Sequence, residues 1–382
     1  MRKRRLASAA VVLALLSISG CGGGGAAPIG CSGTTGATCV APEFLYATAQ
    51  NQILGFTVNL ATGVLSAPTT TPGPAGSLGI PSLGIVSLST LGFVYVTDPQ
   101  NSQIDGFAVN NSTGALSPLP GSPFPLPSPF GLPGLVAGMV ADSQGKFLYV
   151  ANGSINAFSI NAATGALTSI ASPPITSGGG LEVTIDPFGK FLYSIDGSQI
   201  SAFTIDSNTG VLTAVAGSPF ALPVTGVDAT VLTVDSTGHF VYVIANGIPI
   251  GGSNNYVLGF SIDTASGGLT PIAGSPSFPT LLSPFAIAAS GGFLYANSPA
   301  GILVFSITPA TGVLTEIAGS PFATHLAFNG MVLSADGKLL YESGAAGEID
   351  MSVIDPTSGA VTGAGPPTPA SSKPFALSLY HP

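Results

Sequence analysis

The chain has 382 residues, 45% of them hydrophobic and only 7% charged, with 52 Gly, 33 Pro, 3 Cys and no Trp. Its formal net charge is −9, but four of its eight basic residues, Arg2, Lys3, Arg4 and Arg5, stand in the first five positions. Past them remain Lys146, Lys190, Lys338 and Lys373 against 17 acids, a balance of 4 − 17 = −13 without a single arginine. That excludes nucleic acid as a partner, because phosphate contacts need a basic stripe.

Residues 1–20 read as an export signal, with the four basic residues followed by an apolar run from Leu6 to Leu16. That run is too short for a permanent membrane span. Ile18-Ser19-Gly20-Cys21 resembles the lipobox of bacterial lipoproteins, a resemblance that implies cleavage before Cys21 and lipidation of its thiol. Residues 21–42 form a Gly-rich linker. Gly22 to Gly25 do not make a phosphate loop, since no strand precedes them and no Lys-Ser/Thr follows. Cys31 and Cys39 are the other two cysteines; in an oxidising compartment they are expected to pair, the alternative being two free thiols.

From residue 43 onward the sequence repeats. A tyrosine closes an apolar triplet at Tyr46, Tyr95, Tyr149, Tyr193, Tyr242, Tyr295 and Tyr341. A Phe stands seven residues before a Gly in six copies (Phe56/Gly63, Phe107/Gly114, Phe158/Gly165, Phe203/Gly210, Phe260/Gly267, Phe305/Gly312), and the seventh keeps the turn as Ser352/Gly359. An Asn or Asp four residues before most of these glycines is turn chemistry, as its side chain bonds the backbone two residues on and Gly accepts φ > 0. With an inner strand such as Leu181 to Ile185 before each tyrosine strand, a unit holds four short strands in roughly 49 residues, the period of a propeller blade. Seven units predict an all-β, seven-bladed β-propeller over residues 43–382. The first copy lacks an inner strand, whereas Pro374-Phe375-Ala376-Leu377 matches the inner strand Pro284-Phe285-Ala286-Ile287. The C-terminal strand should therefore join the N-terminal blade and leave no open edge. Pro118 to Pro133 and Pro366 to Pro374 are expected in connections rather than strands.

These repeats resemble the lactonase-type seven-bladed propeller family, which includes 6-phosphogluconolactonase-like proteins and YVTN surface-repeat proteins. Ser334-Ala335-Asp336-Gly337-Lys338-Leu339-Leu340-Tyr341 and Phe147-Leu148-Tyr149-Val150-Ala151-Asn152 carry the resemblance best. It implies the fold and, as one activity, lactone hydrolysis near the central channel. The family's Pro-His-Gly at the start of the inner strand is missing. The matching positions are Leu83, Ala137, Leu181, Ala229, Ser283, Asn329 and Lys373.

Candidate chemistry is sparse. Asp142, Asp186 and Asp235 recur at one turn, which reads as turn capping rather than a carboxylate ring, and the seven tyrosines read as interblade core rather than a binding surface. Glu182 is different, because its equivalents are Gly84, Gly138, Thr230, Pro284, Gly330 and Pro374, so the fold does not require a carboxylate there. It is either a general base at the channel mouth, with Asp228, Asn329 and Lys373 as polar neighbours, or a solvated strand end. His325 is either a second general base or an ordinary loop histidine. No His spacing or calcium loop suggests a metal, and no cofactor is implied. The residues favour a non-catalytic, lipid-anchored binding or scaffold module of the cell envelope, monomeric, with an envelope protein or glycan as partner. A hydrolase of a neutral lactone and a structural surface-layer repeat are the alternatives.

Overall fold

The computed structural model describes residues 42–50, 52–72, 84–99, 101–126, 138–170, 180, 182–247, 255–274, 277–280, 286–324 and 328–382. Cys21, Cys31, Cys39 and His325 lie outside them, as do the signal and all but the last residue of the linker.

Seven antiparallel sheets follow one another around a ring. Blade 4 shows the plan: Glu182–Ile185 inside, then Phe191–Ile195, Gln199–Ile205 and Leu212–Ala214 outward. The inner strands, Ile85–Leu88, Met139–Ala141, Glu182–Ile185, Val227–Val234, Ile287–Ser290, Phe328–Leu333 and Pro374–Tyr380, each touch the next, and the last touches the first. They encircle the central channel and all begin at the same end of it.

Closure is as the sequence predicts. Pro374–Tyr380 pairs antiparallel with Glu43–Ala49, from Phe44↔Tyr380 to Ala49↔Pro374. Tyr380 is fully buried against Phe44 and Tyr46, and its hydroxyl donates to Asn111 Oδ1 of blade 2 at 2.6 Å. Beside it, His381 Nδ1 meets Glu43 Oε1 at 2.9 Å, and this carboxylate raises the imidazole pKa.

Both repeat marks acquire a physical cause. Six of the seven tyrosine hydroxyls donate to the turn-glycine carbonyls of the next blade: Tyr46 to Gly114, Tyr95 to Gly165, Tyr149 to Gly210, Tyr193 to Gly267, Tyr242 to Gly312 and Tyr341 to Gly63, at 2.7–3.2 Å. A phenol buried between blades needs such an acceptor. The same turn must present glycine. Gly114 has φ +70°, and any side chain there would collide with the Phe44 ring of the preceding blade. Turn capping also holds. Asp142 Oδ1 accepts from Phe147 N, Asp186 Oδ1 from Lys190 N and Phe191 N, and Asp235 Oδ1 from Phe240 N, at 2.6–2.8 Å.

The proline-rich stretches differ from expectation. Phe124–Pro125 and Thr368–Pro369 are short fifth strands, pairing with Gln103–Val109 and Glu348–Ile354, and Leu116–Pro118 and Pro374–Tyr380 also carry prolines. The two fifth strands lie on the outer edge, where a missing N–H leaves no ladder bond unmade.

Candidate functional site

The inner strands start where the tyrosine strands end, so each blade delivers its strand ends to one mouth of the channel. Glu182 opens the inner strand of blade 4 opposite Ile195. Its carbonyl accepts from Ser194 Oγ at 3.0 Å, and Ser194 Oγ in turn accepts from Gly180 N at 3.1 Å. Its carboxyl leans against Gly138, which lies just before the inner strand of blade 3. A Cβ at Gly138 would stand 2.7 Å from the carboxyl carbon and Oε1. The space that holds this carboxyl therefore exists because residue 138 is glycine. The residue keeps some solvent contact, yet protein surrounds its carboxyl. Desolvation pushes the pKa up to about 8, opposed by a hydrogen bond from the Val183 backbone. A raised carboxyl pKa is the mark of burial, since low polarity disfavours the anion. The carboxyl of Glu182 is thus sheltered even though the residue stands at the end of its strand.

The other expected neighbours disperse. Asp228, half-buried, reaches from blade 5 over Gly197 in the turn of blade 4, where φ of +91° and the carboxylate both require glycine. Ala229 N donates to Gly197 O at 2.8 Å, tying the two blades together. Glu182 and Asp228 therefore flank the same blade on its two sides. Lys373 is exposed just before blade 1, across the ring from blade 4. Asn329 lies in the inner strand of blade 7, where the side chain is outside the described residues.

Sequence reasoning missed two buried carboxylate pairs near the same end. In blade 2, Asp98 accepts from Asn101 N, Asn101 Nδ2 and Gln103 Nε2, and Gln103 Nε2 also reaches Asp105 Oδ1 at 3.2 Å. Asp105 is pushed up to about 7 by burial and then by the charge of Asp98, with the Gln103 bond opposing. In blade 7, Glu342 pairs across the strands with Asp350, and both are 1% exposed. Burial first and Asp350 second push Glu342 up to about 8. The signal was available: the residue after the tyrosine is Ala47, Val96, Val150, Ser194, Val243 and Ala296 in the other blades, so Glu342 breaks the repeat.

A groove of about 640 Å³ lies elsewhere, at the outer rim between blades 7 and 1, lined by residues such as Leu65, Pro68, Pro366 and Pro369. It is apolar and remote from these carboxyls, so the chemistry points to the channel mouth. Among the described residues no three His, Cys, Asp or Glu side chains gather as metal ligands.

Residues 85–227, blades 2 to 4 with the start of blade 5, match the family model described as "Lactonase, 7-bladed beta-propeller". A candidate 6-phosphogluconolactonase from Bacteroides fragilis is similar at 22% identity, over 91% of this chain and 99% of that one, with a TM-score of 0.69. The periplasmic gluconolactonase of Pseudomonas aeruginosa is similar at 16% identity, over 90% and 100%, with a TM-score of 0.67. At these identities the likeness is one of fold. No curated protein matches the chain. The protein is a seven-bladed β-propeller, similar over blades 2 to 4 to the lactonase family model.

Proposed function

We propose that the protein hydrolyses an uncharged lactone at the mouth of its channel, with Glu182 as general base. The observation that carries this reading is the sheltered carboxyl of Glu182, raised to about 8, at the start of an inner strand inside the family match. A base gains strength as its pKa rises toward the working pH. Ionised Glu182 takes a proton from water, the oxygen attacks the lactone carbonyl, and the ring C–O bond breaks as the Glu182 carboxyl returns that proton to the leaving alkoxide, giving a hydroxy acid. Charge argues for a neutral substrate. Lys146, Lys190 and Lys338 lie in turns at the far end of the channel, Lys373 alone lies at the near end, and the exported chain has no arginine to fork a phosphate. Export and lipidation at Cys21 belong to the same proposal and would hold this site at the cell envelope, as a monomer, apart from cytoplasmic sugar phosphates.

The absence of the family's inner-strand histidine favours a second reading, a non-catalytic module binding an envelope protein or glycan. A pH-stat assay with a neutral aldonolactone and with 6-phosphogluconolactone separates the two. The hydrolase reading expects turnover of the neutral lactone alone, with kcat/KM rising through pH 8 and lost in Glu182→Gln. Binding without turnover of either compound would leave the module.

A further inference from the structure

Glu342 has no part in that reaction. Its position in the middle of Leu339–Gly344, opposite Asp350 of Glu348–Ile354, sets two carboxylates face to face inside blade 7. The pair faces blade 6, because Leu340, two residues before Glu342, and Ile354, four residues past Asp350, pack there with Tyr295, Ile302 and Val304. Neither oxygen of Glu342 receives a hydrogen bond. The same face of Glu348–Ile354 carries Ser352, 1% exposed, whose hydroxyl is also without a partner. Buried carboxylates are ordinarily paired, hydrogen-bonded or metal-bound; Asp350 Oδ1 accepts from Met351 N at 3.0 Å, whereas Glu342 has no hydrogen-bond donor among the described residues. The fold does not require both groups: the position of Asp350 is Leu54, Leu258 and Leu303 in blades 1, 5 and 6, though Asp105 in blade 2, and no other blade has an acid after its tyrosine.

We infer that Glu342, Asp350 and Ser352 form a site for a hard divalent cation, of the calcium class, between blades 6 and 7. Two bidentate carboxylates and a hydroxyl offer up to five oxygens, so one or more waters would complete the six to eight that calcium takes. Two negative charges match the ion, and the pair stands two residues from the strand end at Gly344, on the side of the channel mouth. Bound, the ion would fasten neighbouring strands of blade 7 at its seam with blade 6, on the far side of the ring from Glu182.

The test uses the full chain, stripped with chelator and dialysed at pH 8. Calcium alone at ~10 mM should raise the Tm by several degrees, as a ligand of millimolar affinity for the native state would. Terbium should bind and emit through excitation of tyrosine, for the chain has no Trp and Tyr295 lies in the same interface. Glu342→Gln and Asp350→Asn should each abolish the Tm shift, and Ser352→Ala should weaken binding several-fold. A direct calcium titration of the unmutated protein stands even if a variant fails to fold. No binding in that titration, or equal Tm shifts in the unmutated protein and Glu342→Gln, overturns the site.

Discussion

Ring closure rests on Tyr380, and its removal should be felt across the whole molecule. The side chain is fully buried, its ring centroid is 6.4 Å from those of Phe44 and Tyr46, and its hydroxyl bonds Asn111 in the next blade. Truncating a buried aromatic to Ala costs roughly 3–5 kcal/mol through lost transfer energy and an unfilled cavity. The lost hydrogen bond adds about 1 kcal/mol. An unfolding entropy of about 2.1 cal/mol/K per residue over the propeller gives ~0.7 kcal/mol/K. Tyr380→Ala should therefore lower the Tm by about 6–9 °C, and Tyr380→Phe by only about 1–2 °C. Deleting residues 374–382 should do far more, since the inner strand of blade 1 goes with them and two edges open. Scanning calorimetry with circular dichroism measures all three. A Tyr380→Ala protein that melts within 1 °C of the parent would refute closure by this strand.

Two further outcomes are expected. In chelator, stability should fall as pH rises. Glu342 binds a proton more tightly folded than unfolded, so its contribution is full below pH ~4.5 and is lost as pH passes through about 8. At about 1.36 kcal/mol per pKa unit the loss is at most ~5 kcal/mol, and Glu342→Gln should flatten the fall in Tm between pH 5.5 and 9; an unchanged slope would refute the assignment. Labelling with a palmitate analogue should mark the unmutated protein and not Cys21→Ala; equal labelling of both ends the lipid-anchor reading.

The amino-acid sequence alone determined the architecture: seven units, the order of strands in each, the capping role of Asp142, Asp186 and Asp235, and the closing strand at Pro374–Tyr380. Strand alternation, Asx turns and turn glycines act within a few residues, so they write themselves into a linear pattern. Even where the tyrosines and turn glycines were plain as marks, their partnership was not, because Tyr341 and Gly63 meet across 278 positions. Only the tertiary structure decided the environment of Glu182, through the bare backbone of Gly138 one blade away. Packing of blade 7 against blade 6 likewise turned Glu342 and Asp350 from a break in a repeat into a buried pair. The physical reason is burial. A carboxyl pKa depends on what excludes water from it, and in a propeller the atoms that do so come from the neighbouring blade, some 50 residues away in the chain.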